Sequence, residues 1–94
     1  MTYEILPYTY RKARELGLTI FPSDNPKYKL EIYDGETGAF LYYGGSPKYS
    51  DYPHYIKSHG KAYADERRRL YRIRHAKEIA DTGSRGFVIS YLLW

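Results

Sequence analysis

Apolar and polar positions alternate cleanly from Lys27 to Tyr33, with Tyr28, Leu30 and Ile32 on one side and Lys27, Lys29, Glu31 and Tyr33 on the other. A period of two is the signature of a half-buried strand. Asp34-Gly-Glu-Thr-Gly38 follows, with two glycines able to take positive φ, and Ala39-Phe-Leu-Tyr-Tyr43 returns as a second strand. Upstream, Leu18-Thr-Ile-Phe21 alternates too and reads as a further short strand ahead of the turn-rich Pro22-Ser-Asp-Asn-Pro26. Before it, Thr9 is placed to cap a helix from Tyr10 to Leu16. Tyr10, Ala13 and Leu16 would face inward, Arg11, Lys12 and Arg14 outward, and Gly17 would stop it in the left-handed conformation.

The period changes in the second half. Gly44 to Pro53 reads as a loop, with Asp51 as N-cap of a brief helix from Pro53 to Ser58 that ends at Gly60. From Lys61 to Asp81 there is neither Gly nor Pro, and good helix formers fill the run. Tyr63, Leu70, Ile73 and Ala76 or Lys77 recur at helical spacing, which predicts their stripe as the buried one, with Gly83 as the stop. Asp65 and Glu66 lie near the start and the cations follow, which suits the helix dipole. In the last segment, Phe87 to Trp94, Phe, Val, Ile and Tyr favour a strand. The Phe87, Tyr91, Leu92 spacing permits a helix, and we read it as a helix capped by Ser84. The expectation is one α+β domain over residues 1–94. It holds a β-hairpin, with room for a third strand, packed on one long basic helix with shorter helices.

Charge changes this picture. From Lys57 to Lys77 there are eight Lys/Arg against two Asp/Glu, whereas the whole chain is only +4. Positive charge is therefore gathered on one helix, and acidic partners, nucleic acid among them, become natural candidates. Arg68, Arg72 and His75 would form one row, and Arg67, Arg74 and Lys77 another. Arg69 adds to the patch, and Tyr71 lies among the cations, able to stack on a base or lie flat on a protein. Arginine rather than lysine favours two-pronged contact to phosphate or carboxylate. The competing reading is a solvated face whose arginines pair with the chain's own acids, such as Asp34, Glu36 or Asp51, with Glu78 placed to pair with Arg74.

Thirteen tyrosines, three phenylalanines and one tryptophan give the surface an amphipathic character suited to contacts. Phe87, Tyr91 and Trp94 are the candidate protein-contact residues of the last segment. There is no cysteine, hence no disulfide or thiolate site. No run reaches membrane-span length, and the start lacks a charged-then-apolar leader, so membrane attachment and secretion are not expected. His54 and His59 would point about 140° apart on a helix, which is not a metal pair. His75 fits an anion contact or packing on Tyr71. No phosphate loop, nucleophile elbow or dinucleotide fingerprint occurs, so no cofactor, small-molecule substrate or enzymatic activity is expected. Ile32-Tyr33 and Tyr42-Tyr43-Gly44 loosely echo the paired strands of the GIY-YIG endonucleases, with Arg67 to Arg69 and Glu78 as stand-ins for the catalytic arginine and the metal ligand. Glu31 and Tyr43 depart from that pattern, and an ordinary aromatic hairpin is the simpler reading.

A broader likeness covers most of the chain. Ala13-Arg-Glu-Leu-Gly17 with Pro22-Ser23, Tyr28-Lys29, and Tyr49-Ser-Asp-Tyr-Pro-His-Tyr-Ile56 carry it. So do Tyr63-Ala-Asp-Glu-Arg-Arg-Arg-Leu-Tyr-Arg-Ile-Arg-His75, Gly83-Ser-Arg-Gly86 and Leu92-Leu-Trp94. On these stretches the sequence resembles an uncharacterised family of small basic proteins encoded by large (giant) DNA viruses and some phages. Val88-Ile-Ser90 stands where similar sequences carry Tyr-Ala-Asp, which removes an acidic residue there. The resemblance implies a viral protein inside a virion or the host cell (viral factory or cytoplasm), with no catalytic residue to carry over. Two roles follow from it. One is a non-enzymatic virion component, a minor capsid or cement-like protein contacting other virion proteins or itself. The other is a nucleic-acid-binding protein that sets the arginines of the long helix on DNA phosphates.

Overall fold

The computed structural model describes residues 3–94. Among these residues the fold is α+β, with three antiparallel strands in one sheet and five helices. The chain divides into two compact units, Met1–Tyr49 and Ser50–Trp94.

The first unit holds α1 (Pro7–Glu15), β1 (Leu18–Pro22), β2 (Leu30–Asp34) and β3 (Phe40–Gly44), in sheet order β1-β2-β3. The hairpin is present as the alternation predicts, and β1 is the third strand. Leu18 pairs with Asp34 and Ile20 with Ile32 across β1 and β2; Ile32 pairs with Tyr42 and Tyr33 with Phe40 across β2 and β3. That register puts Ile20, Leu30 and Ile32 on one side, where all three are buried. The register slips between Ile32 and Tyr33, which leaves Leu41 as the extra residue of a bulge. Inside this unit the helix that packs on the strands is α1.

Two expectations for the unit are corrected. α1 begins at Pro7, not after a Thr9 cap, because proline suits the first helical position. Thr9 lies inside, with Ala13 one turn on, and Tyr10 is exposed. The alternation also does not extend back to Lys27. The strand begins only at Leu30, and Lys29, expected on the outer side, is buried, with its ammonium 5.4 Å from the Tyr3 ring centre, while Tyr28 stacks on Tyr43 at 5.4 Å.

The tightest joint is Gly35, whose N–H donates to Gly17 O at 2.9 Å. A Cβ at Gly35 would collide with that same carbonyl. Gly17, at φ 69°, ends α1 in the left-handed region as expected.

The second unit is helical: α2 (Tyr52–His59), α3 (Lys61–Arg74), α4 (Ala76–Ala80) and α5 (Arg85–Leu93). Asp51 caps α2, its carboxylate accepting from His54 N, and Ser84 caps α5, its hydroxyl accepting from Phe87 N at 3.0 Å. The last segment is therefore a helix, as read. One residue, Gly60 at φ 89°, joins α2 to α3. Here α2 is the packing partner of the basic helix, and α5 packs on α4.

The helix expected from Lys61 to Asp81 is broken at His75 (φ −108°, ψ 22°), and its second piece ends at Ala80, before Gly83. Its buried face matches the predicted stripe only in part. Ala64 is fully buried and Leu70, Tyr71 and His75 are partly so, while Ile73 is 62% and Tyr63 43% exposed. The reason lies in the neighbours: the side of α3 carrying Ala64, Arg68 and Tyr71 meets the rings of Tyr52 and Trp94.

Candidate interaction surfaces

Two surfaces stand out, one on each unit. On α3 the arginines divide by what they touch. Arg68 lies with its guanidinium carbon 3.9 Å from the Tyr52 ring centre, and Arg67 sits 5.6 Å from that of Tyr55. These are cation–π contacts within the protein. Asp65 gathers Tyr52 OH at 2.7 Å, Lys61 Nζ at 2.8 Å and Arg68 Nη2 at 3.7 Å. The Lys61 bond, followed by the Tyr52 bond, holds the Asp65 carboxyl below the usual aspartate range. Arg69 pairs with Glu66 at 2.6 Å, and the same bond lowers Glu66. Asp65 and Glu66, which pair with Arg68 and Arg69, thus lie on the same helix as those arginines. Glu78 meets His75 Nδ1 at 3.3 Å rather than Arg74. Glu78 and Arg67, the stand-ins for nuclease roles, are therefore turned to His75 and Tyr55.

Arg72, Arg74 and Lys77 remain. They are exposed and enter no ion pair or cation–π contact among the described residues. They do not form a track. Arg72 and Arg74 project about 160° apart on a helix of 100° per residue, and Lys77 lies beyond the break at His75. Ile73 stands between them, and an open furrow lined by Asp65, Arg68, Arg69, Arg72, Ile73 and Ala76 runs along this side.

Tyr71 is not a free stacking ring. Trp94 lies nearly parallel to it, 8° between planes and 4.3 Å between centres, and His75 is stacked at 4.1 Å. Two near-parallel rings that close cannot share one face, so Tyr71 is bracketed on both. Its hydroxyl meets Ser90 Oγ at 3.0 Å, and burial pushes its pKa up. Trp94, expected as an outward contact, is buried in this stack, while Phe87 and Tyr91 are half-buried, with ring centres 5.9 Å apart. Tyr55 adds rings on both sides, 6.1 Å from Trp94 and 5.5 Å from Tyr63.

The second surface escaped the sequence reading. On the other side of the sheet from Ile20 and Ile32, Phe21, Tyr33, Phe40 and Tyr43 run in a line, with consecutive ring centres at 5.5, 5.5 and 5.0 Å, edge to face. Phe21 is 51% and Phe40 48% exposed. Glu31 stands among them, accepting from Tyr33 OH at 2.8 Å and from Asp24 N at 2.9 Å. Those two bonds, the Asp24 one foremost, lower the Glu31 pKa, and the Glu31 bond raises that of Tyr33. Asp24 in turn accepts from Tyr43 OH at 3.3 Å. The signal was present in the outward parity of Phe21 and Tyr33, but the bulge at Leu41 hid that Phe40 joins them.

Among the described residues no group of three His, Cys, Asp or Glu is placed to hold a metal, and no helix is long and apolar enough to cross a membrane. Comparison with protein-family models, curated proteins and solved structures finds no match.

Proposed function

We propose that this chain is a non-enzymatic contact protein, a small viral structural component of the minor capsid or cement-like kind. On this reading it binds neighbouring virion proteins or its own copies through apolar and aromatic surface on both units. The observation that carries the reading is outward apolar area with charge interspersed: Phe21, Phe40 and Leu41 on the sheet, and Ile73 at 62% exposure between the arginines of α3. A phosphate-tracking helix needs aligned, available cations. Here Arg67 and Arg68 lie on tyrosines, Arg69 is paired, and the remaining cations diverge.

The second reading, DNA binding, draws on Arg72, Arg74 and Lys77, which have no acidic partner among the described residues. Titration of duplex and single-stranded DNA across a salt series separates the two. Negligible binding at physiological salt is the expected result. Micromolar or tighter binding that weakens steeply with salt, and is lost in an Arg72→Ala/Arg74→Ala variant, would replace the contact reading with the nucleic-acid one.

A further inference from the structure

We infer that the aromatic face of the sheet docks the outer face of α3 on a second copy of the chain, head to tail. This rests on the contact-protein reading and names the partner.

Charge complementarity is the first argument. Residues 1–49 carry six Lys/Arg and six Asp/Glu, a net of zero, and the sheet face holds Glu31 and Asp24 among its rings. Residues 50–94 carry nine Lys/Arg against five Asp/Glu, the whole net +4 of the molecule. The two surfaces therefore differ in kind. Arg72 brings an exposed cation to the side that carries Ile73, and rings backed by carboxylates attract cations through both quadrupole and charge. Ile73, exposed between the cations, brings the apolar centre that Phe21 and Phe40 match.

Dimensions agree. Three strands span about 10 Å. A helix with its side chains is about 10–12 Å thick, and the stretch from Asp65 to Ile73, within the unbroken α3, is roughly 12 Å long. One helix face therefore covers one sheet face. Such a patch buries less than about 1,200 Å² in all, which places the contact in the weak, reversible class.

Symmetry follows from the chemistry. The two patches differ, so each copy donates one and accepts one. A contact of this type builds rings or open chains rather than a closed two-fold dimer.

The test is mass against concentration by sedimentation equilibrium on the intact chain. The wild type is expected to rise above its 11.1 kDa monomer with concentration, and to fall back as salt goes from low to about 0.5 M. Phe21→Ser/Phe40→Ser removes one patch and Arg72→Glu/Ile73→Ser the other; each alone is expected to weaken association at least tenfold. Mixed in equal amounts, they still share one intact pair of patches, so a dimer and nothing larger should form.

A wild type that stays monomeric at millimolar concentration overturns the proposal. So does association that neither variant disturbs, or variants that dimerise alone. Far-UV circular dichroism checks each fold. Should the sheet variant unfold, the helix variant and the wild-type salt series decide. The outcome is independent of the DNA titration: a chain that binds no DNA yet never self-associates would sink this inference and leave the contact reading standing.

Discussion

Tyr71 allows the sharpest test of how the helical unit holds together. It is clasped by Trp94 on one face and His75 on the other, and its hydroxyl meets Ser90, itself only 7% exposed. Tyr71→Phe keeps both stacks and removes one hydrogen bond from a nearly buried pair, a loss of about 1–2 kcal/mol. Tyr71→Leu gives up the two ring contacts as well, about 0.5–1.5 kcal/mol each, for a total of roughly 2–5 kcal/mol. Tyr71→Ala adds a cavity and reaches about 3–5 kcal/mol. A chain of 94 residues has on the order of 5–14 kcal/mol of stability, so the alanine variant loses a large share of it. Urea unfolding followed by the fluorescence of Trp94, the single tryptophan, reads all three. The expected order of midpoints is wild type, Phe, Leu, Ala. A neutral Phe variant together with an Ala variant costing under about 1 kcal/mol would refute the bracket. Tyr71 would then be available for partners, as its position among the arginines first suggests.

Three further outcomes are expected. Thr9 Oγ1 is buried with no hydrogen-bond partner among the described residues, so Thr9→Val should stabilise by about 1 kcal/mol, seen as a higher melting temperature. Gly35→Ala should destabilise the first unit, because its Cβ meets the Gly17 carbonyl; loss of amide protection around the Asp34–Ala39 loop would report it. Asp34, Asp65 and Glu66 are held below their ordinary pKa values, chiefly by the Thr37 amide, by Lys61 and by Arg69 respectively. Their contribution is full above the usual carboxylate range and fades as pH falls through the lowered values, so denaturation midpoints should drop on acidification. Asp34→Asn keeps an acceptor for Glu36 N and Thr37 N at every pH and should shrink that drop.

Much of the framework was legible in the sequence. The alternation around Leu30 and Ile32 specifies a strand with one wet side, and the caps Asp51 and Ser84 are local chemistry that a sequence displays directly. The contact surfaces were less legible because they depend on distant partners. Periodicity offered Leu70 and Ile73 as the buried stripe; Leu70 is half-buried but Ile73 is exposed, and Ala64, Arg68 and Tyr71 turn inward because Tyr52 and Trp94 provide rings to pack on. A cation row assumes that every arginine faces water; a tyrosine 12 or 16 residues away is enough to draw one in. The break at His75 is likewise invisible to helix propensity, which sees only good helix formers on both sides. The aromatic sheet face was half visible, since outward parity names Phe21 and Tyr33, whereas a bulge shifts parity without leaving any mark in composition.

The split of charge between residues 1–49 and 50–94 also decides how the molecule behaves as a colloid. The half with exposed phenylalanines has no net charge of its own to keep copies apart. The arginine-bearing half therefore acts as the solubiliser for both. Anything that cancels its surplus, such as an acidic surface or a polyanion in stoichiometric amount, should bring the protein out of dilute solution and leave its net-neutral, ring-bearing half to set what it sticks to.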